Sequence, residues 1–184
     1  MMGKVYIFLA DGFEEVEGLT VVDLLRRAGI EIETVSIKET RDVVTSHGIS
    51  LLTDRIFRET DFSDADMLVL PGGMPGTRNL AAYKPLTDLL ESFYSKGGRV
   101  AAICAAPSVF GSLGFLKGRK ATSYPSFMDQ LYGAHTCEEA VVVDGNVTTS
   151  RGMGTAIQFG LSLIQQLLGR EKAGEIAESI VYSC

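Results

Sequence analysis

The sequence predicts an α/β fold: a flavodoxin-like three-layer sandwich with a mostly parallel sheet and helices on both faces. Two observations lead to this prediction. Strand-sized apolar runs alternate along the chain with amphipathic helical stretches, as repeated βα units do. Several of the strand candidates have no polar face, as expected for strands buried in a parallel sheet. Because ligands of such sheets bind beyond the carboxyl ends of the strands, functional residues are expected just after strands.

The individual elements follow from apolar spacing and from turn residues. The predicted strands are Lys4–Ala10, Ile32–Ile37, Met67–Leu70, Val100–Cys104, Val141–Val143 and Val147–Thr149. The predicted helices are Glu14–Ala28, Leu86–Lys96, Thr155–Leu168 and Arg170–Tyr182. The segment Val43–Asp54 is predicted to form a small antiparallel edge hairpin that turns at His47-Gly48.

Length and composition predict a single domain over residues 1–184. The chain is 46% hydrophobic and 22% charged, which excludes a disordered or fibrous protein, and no repeat or linker divides it. The 17 basic residues against 23 acidic ones give a net charge of −6, which disfavours nucleic acid and anionic membranes as partners.

The cysteines and the N-terminal sequence indicate a cytoplasmic protein. Cys104, Cys137 and Cys184 are odd in number and far apart, unlike the cysteines of a disulfide-stabilised secreted domain. The apolar run Val5–Ala10 is too short for a signal peptide or a membrane span. His135 and Cys137, with Glu138 and Glu139 beside them, lack a second ligand pair and no CxxC occurs, so no metal site is expected.

Cys104 stands where a buried strand turns into a helix. The apolar run Val100–Ile103 precedes it, and Ala105 and Ala106 lead into Pro107, which suits a first helical position. This arrangement is similar to a nucleophile elbow, in which a following N–H stabilises an oxyanion and the helix N-terminus lowers the thiol pKa. A buried structural cysteine is the other interpretation.

Two further segments follow predicted strands. Gly72 and Gly73 follow Met67–Leu70, and paired glycines can turn backbone N–H groups toward a reacting centre or form a plain turn. After the first strand, Glu14, Glu15 and Glu17 would interact favourably with a helix dipole. A Glu17 carboxyl close to Cys104 would have a raised pKa and could hold a proton for catalysis.

Five motifs together resemble the ThiJ/PfpI superfamily of class I glutamine amidotransferase-like domains. The resemblance is to the branch of YajL and the parkinsonism-associated protein deglycase, and it spans the whole chain. The motifs are Gly12–Glu17, Arg26–Ile30, Val69–Gly73, Ala101–Pro107 and Thr149–Thr155.

The resemblance implies roles for particular residues. Cys104 matches the reactive, oxidation-prone cysteine and Glu17 matches the carboxyl that hydrogen-bonds it. Gly73 and Ala105 match the backbone N–H donors, and Gly72 lies beside them. Family members are usually homodimers, and Arg27 matches a residue that reaches toward the partner's site.

Two departures from the family pattern concern histidine. Some relatives place a histidine near the cysteine where this chain has Tyr124, although YajL-like proteins also lack it. His47 matches a pocket-lining position where relatives often have arginine, and a simple role in the edge turn explains it equally well. Peptidases of the superfamily follow their cysteine with histidine, whereas Ala105 follows here, so protease activity is not expected.

The resemblance implies cofactor-free, cysteine-dependent detoxification of α-oxoaldehydes such as methylglyoxal or glyoxal, or of their early adducts with amines and thiols. The activity would be of the glyoxalase III or deglycase type. The alternative is a stress-response protein without dedicated turnover, a redox sensor or chaperone in which Cys104 is oxidised.

Overall fold

A computed structural model describes residues 4–183, and its centre is a seven-stranded sheet. The strand order is β10-β11-β7-β6-β1-β2-β5, and every neighbouring pair is parallel except β10 and β11. The strands are β1 (Lys4–Leu9), β2 (Glu31–Ser36), β5 (Arg55–Ile56), β6 (Ala65–Leu70), β7 (Arg99–Ile103), β10 (Val141–Asp144) and β11 (Val147–Ser150). The predicted fold class is confirmed.

Six α-helices accompany the sheet in the described part of the chain. They are α1 (Glu15–Arg27), α2 (Gly76–Ala82), α3 (Lys84–Ser95), α4 (Pro107–Ser112), α5 (Ala156–Leu168) and α6 (Arg170–Ser179). Short 3-10 turns cover Phe57–Glu59, Pro125–Gln130 and Met153–Thr155. None of the helices in this part of the chain is both long and apolar enough to cross a bilayer.

The sheet separates two apolar cores. Alternate residues of β1 point to opposite faces, as the period of a strand requires. Val5, Ile7 and Leu9 pack with α1, α5 and α6, whereas Tyr6 and Phe8 pack with α2, α3 and α4. All five of these β1 side chains are buried, so the central strand is apolar on both faces, as its sequence predicts.

The predicted hairpin forms, but it does not extend the main sheet. Its strands β3 (Asp42–Val44) and β4 (Ser50–Leu52) make a separate antiparallel pair. The hairpin is tied instead to the loop after β1: the Gly12 N–H donates to the Val44 carbonyl at 2.7 Å, and the Ser46 N–H donates to the Phe13 carbonyl at 2.8 Å. The antiparallel edge strand of the main sheet is β10.

The parallel strands bring several loops to one end of the sheet. The segments after β1, β6, β7 and β11 all leave at the carboxyl ends of adjacent strands. A further parallel pair, β8 (Lys120–Ala121) and β9 (His135–Thr136), lies beyond α4. The loop end is where the candidate residues are found.

Candidate active site

Cys104 occupies the tight turn between β7 and α4. Its backbone has φ of 66°, in the left-handed region that non-glycine residues rarely adopt. Two hydrogen bonds hold this conformation: the Cys104 N–H donates to the Ser150 carbonyl at 3.0 Å, and the Cys104 carbonyl accepts from the Tyr124 N–H at 2.8 Å. The residue is half-buried, so its thiol remains accessible.

Glu17 lies in the first turn of α1 and is only 2% exposed. Its carboxyl accepts a hydrogen bond from the Gly72 N–H at 3.1 Å and another from the Met153 N–H. Its own N–H donates to the Glu14 side chain at 2.7 Å, which caps the helix. The backbone of Glu17 is therefore fixed by Glu14, and its carboxyl is fixed by the loops that carry Gly72 and Met153.

The Cys104 thiol and the Glu17 carboxyl meet directly. The thiol donates a hydrogen bond to the carboxyl, and the Gly73 and Ala105 N–H groups both hydrogen-bond the sulfur. A β-carbon built on Gly72 would lie 2.5 Å from both the Cys104 Cβ and the Glu17 Oε2. The site is thus a thiol, a carboxyl and two backbone donors, all packed against Gly72.

Burial raises the pKa of both side chains. Desolvation is the main cause that raises the pKa of Glu17 to about 7, with repulsion from Glu14 adding to it and the thiol hydrogen bond opposing it. Desolvation and the neighbouring Glu17 charge raise the pKa of Cys104 to about 12. The carboxyl therefore loses its proton well before the thiol.

The prediction for Glu17 is confirmed in direction, whereas the one for the thiol is wrong. A helix N-terminus was expected to lower the pKa of Cys104, and the Gly73 and Ala105 N–H groups do act in that direction. Burial beside a carboxylate outweighs them. The resting pair is a thiol hydrogen-bonded to a carboxyl group.

The loop after β6 needs glycine because it packs against the loop after β1. The Glu14 N–H donates to the Gly72 carbonyl at 2.9 Å. Gly73 has φ of 89°, and a side chain there would clash with the backbone of Gly12 and Phe13. This close approach turns the Gly73 N–H toward the sulfur.

The structure places Tyr124 beside the site, His47 in the hairpin turn and Arg27 at the far end of α1. Tyr124 is half exposed, and its ring lies near Gly152, which also neighbours Glu17. His47 is exposed in the hairpin turn, where its Nδ1 lies 2.9 Å from the Glu15 carboxylate. Arg27, at the far end of α1, pairs with Asp23 at 2.7 Å, and its predicted role toward a partner stays a prediction.

The sequence reasoning missed the part that the loop after β11 plays. Met153 donates its N–H to Glu17, and Ser150 fixes the backbone of Cys104. Both residues lie in the recognised motif Thr149–Thr155. The contacts use backbone atoms, which every residue has, so the residue types do not predict them.

The described residues contain one group with the ligand types and spacing of a metal site: Glu14, Glu15 and His47. His47 already pairs there with Glu15. His135 and Cys137 do not contribute to this group, and Cys184 lies outside the described residues.

Comparison with known proteins identifies the family. The DJ-1/PfpI family model matches residues 3–166. The chain belongs to the DJ-1/PfpI family. Among solved structures, oxidized DJ-1 of Toxoplasma gondii shares this fold with a TM-score of 0.95 and 36% identity over 99% of this chain and 100% of that one.

Two curated family members differ in how much of their length this chain matches. Protein DJ-1 homolog B of Arabidopsis thaliana is 40% identical over 97% of this chain, but the chain spans only 41% of that protein. The glutathione-independent glyoxalase DJ-1 of Schizosaccharomyces pombe is 29% identical over 97% of this chain and 98% of its own length. The chain thus spans less than half of the Arabidopsis protein and nearly all of the yeast one.

Proposed function

We propose that the protein converts α-oxoaldehydes such as methylglyoxal or glyoxal, or their early adducts with amines and thiols, into 2-hydroxy acids. One observation carries the proposal: an accessible thiol hydrogen-bonded to a buried carboxyl whose pKa is about 7, with two backbone N–H groups on the sulfur. The yeast relative named as a glyoxalase supports the same reaction class.

The first step is attack of sulfur on the aldehyde carbon. The Glu17 carboxylate takes the thiol proton as the S–C bond forms, so no free thiolate has to accumulate despite the raised pKa of Cys104. The carbonyl oxygen becomes an oxyanion near the Gly73 and Ala105 N–H groups. The Glu17 carboxyl then protonates this oxygen, which gives a hemithioacetal and regenerates the carboxylate.

The second step moves a proton between adjacent carbons. The Glu17 carboxylate removes the proton from the carbon bonded to sulfur, and the electron pair shifts onto the neighbouring carbonyl oxygen to form an enediolate. The hydroxyl proton on the sulfur-bearing carbon moves to that oxygen, and the Glu17 carboxyl returns its proton to the neighbouring carbon, which gives a thioester of the 2-hydroxy acid. A base with a pKa near 7 suits both directions of this transfer, because neither its acid nor its base form is strongly favoured at neutral pH.

Water completes the reaction. It attacks the thioester carbonyl, the C–S bond breaks, and the sulfur takes a proton to restore the thiol of Cys104. The net change is one aldehyde plus one water to one hydroxy acid, with no external oxidant, reductant or cofactor. The reaction needs a reduced thiol, which the cytosol maintains.

The test is lactate formation from methylglyoxal by the purified protein. We expect D- or L-lactate from the wild type and at least roughly a hundredfold lower kcat/KM in Cys104→Ala and in Glu17→Gln, as for loss of a nucleophile or a positioned base. Cys137→Ala is the matched control and should retain full turnover. The proposal fails if the wild type makes no lactate or if Cys104→Ala is as active as the wild type.

A homodimer is part of the proposal. An apolar surface formed by α1 and the start of α5 is exposed: Val16 and Leu19 are 42% and 40% exposed, and Met153 and Ile157 are 58% and 37% exposed. This surface adjoins the site, because Glu17 lies between Val16 and Leu19 in sequence and Met153 hydrogen-bonds it. A second copy would cover it.

A redox sensor is the second candidate function. The observation that favours it is the half-buried Cys104 sulfur with two N–H donors, which would also stabilise the oxygens of a sulfinate. Mass spectrometry after mild peroxide separates the two. Selective addition of two oxygens at Cys104 without aldehyde turnover favours the sensor, and modification of Cys137 before Cys104 argues against it.

A further inference from the structure

A cavity lies beside the site, between α2, α4 and the 3-10 turn Pro125–Gln130. Its volume is about 390 Å³, at the lower end of the range for small-molecule sites. Its walls combine a cation, hydroxyls, an amide and apolar side chains: Met74, Thr77, Arg78, Ala81, Ser108, Val109, Ser112, Phe127 and Gln130.

The cavity walls are bonded to the two residues that carry the backbone donors. The Thr77 N–H donates to the Gly73 carbonyl at 2.9 Å. The Ser108 Oγ donates to the Ala105 carbonyl at 2.7 Å. Met74 directly follows Gly73 and lines the cavity. The walls of the cavity are therefore one hydrogen bond or one residue away from both donor residues, so an extended substrate could contact both places.

The polar groups of the cavity suit a carboxylate. Arg78 is exposed and has no ion-pair or hydrogen-bond partner among the described residues. Thr77 is 3% exposed and its hydroxyl has no hydrogen-bond partner in the same part of the chain. Among the residues that the structure describes, no acidic side chain lines the cavity, although the chain as a whole carries a net charge of −6. An unpaired guanidinium in a cavity lined by no carboxylate favours an anionic ligand group.

We propose that this cavity is a subsite for the carboxylate-bearing part of the substrate, with Arg78 as its specificity-determining residue. The substrate class would then be the adduct of an α-oxoaldehyde with the thiol of an amino acid or peptide, whose former aldehyde carbon lies at Cys104. There the Cys104 sulfur replaces the amino-acid sulfur, which takes the Cys104 proton and leaves as a free thiol. Free methylglyoxal is too small to reach both places. The inference rests on the proposed function for the position of the reacting carbon.

The kinetic test compares two adducts that differ in one charge. The hemithioacetals of methylglyoxal with N-acetylcysteine and with its methyl ester are assayed with the wild type and Arg78→Gln. We expect Arg78→Gln to raise KM for the acid roughly fivefold, with kcat and the KM for the ester unchanged. Lys96→Gln removes a cation that also has no hydrogen-bond or ion-pair partner in the described part of the chain and that lies at the opposite end of the sheet, so it should change neither KM.

A binding test does not depend on turnover. Cys104→Ala protein is titrated with S-lactoyl-N-acetylcysteine and its methyl ester, with and without Arg78→Gln. The proposal predicts tighter binding of the acid than of the ester, and loss of that preference in the double variant. Equal binding of acid and ester, or a preference that survives Arg78→Gln, overturns it. A retained preference in a protein without aldehyde turnover would refute the proposed function alone.

Discussion

The Glu17 carboxyl is charged at a stability cost at neutral pH. Its pKa is about 7 in the folded protein against 4.5 for an unperturbed glutamate, because the carboxyl is desolvated. The folded state therefore binds more protons than the unfolded state between these two values. The free energy of unfolding falls as pH rises through this window, so Glu17 destabilises the protein at pH 8 relative to pH 4.

Glu17→Gln is predicted to remove this pH dependence. The amide keeps an oxygen for the Gly72 and Met153 N–H groups but does not ionise. We expect the variant to be more stable than the wild type at pH 8 by up to roughly 3 kcal/mol, with the difference vanishing near pH 4. Urea denaturation at several pH values measures this.

Glu178→Gln removes an exposed carboxyl on α6 and is the control for the loss of one negative charge. A constant difference between Glu17→Gln and wild type at all pH values would show that Glu17 titrates normally.

For individual residues, the sequence predicted that Cys104 and Glu17 form the pair, but it did not predict that the thiol keeps its proton. Cys104 is recognisable because it directly follows a strand, and Glu17 is recognisable because it lies in the first turn of the helix after β1. The pKa of a thiol depends on what covers it, and Glu17 reaches Cys104 across the sheet from a segment 87 positions earlier. Local features such as a helix N-terminus therefore gave the wrong sign.

Among the connecting elements, the loop between β6 and α2 fixes the distance between thiol and carboxyl. Gly72 lies in contact with both, and its N–H is one of the donors to Glu17. Nothing larger than hydrogen fits at its Cα.

Gly72→Ala is predicted to separate Cys104 from Glu17. The added methyl would lie 2.5 Å from atoms of both side chains and 2.9 Å from the Ile103 carbonyl, so the loop or α1 must shift. We expect roughly a hundredfold loss of methylglyoxal turnover, because a displacement of about 1 Å is enough to disrupt catalytic geometry.

Gly97→Ala provides the comparison, because no atom lies within 4 Å of the added methyl. The positive φ of 83° at Gly97 costs this variant some stability without affecting the site. Turnover per folded molecule should be unchanged there. Full activity of Gly72→Ala would mean that the pair does not need this spacing.

Regular elements with a strong apolar pattern were predicted within a few residues. Strand β1 and helix α5 are examples, each differing from its predicted range by one residue. Helix α2 was missed because Gly76–Ala82 contributes only Leu80 as a large buried side chain. The two-residue strands β5, β8 and β9 are too short to show a period, and only their neighbours in the fold define them.

For the whole molecule, the exposed apolar surface of α1 predicts its assembly. Leu19→Glu places a charge on that surface, where burial against a second copy would leave the charge unpaired. We expect the wild type to sediment as a dimer and Leu19→Glu as a monomer. Leu52→Glu is the matched control, since Leu52 is 69% exposed on the hairpin, and it should stay dimeric. A monomeric wild type would contradict the proposed dimer.

The sequence also predicted the meeting of loops at one end of the sheet, because parallel strands point the same way. It did not predict that the hairpin would leave the sheet edge and cover the loop after β1. Backbone hydrogen bonds from Gly12 and Ser46 decide that position, and no side-chain pattern encodes them.

The left-handed backbone at position 104 lowers the stability of the fold whenever the residue there carries a side chain, as the reactive cysteine does. A residue with a β-carbon pays roughly 1 kcal/mol or more for a φ of 66°, whereas glycine accepts that conformation freely. Laboratory selection for heat resistance alone would therefore favour glycine at position 104. The most thermostable variants selected in this way would lack the Cys104 thiol and with it the proposed activity.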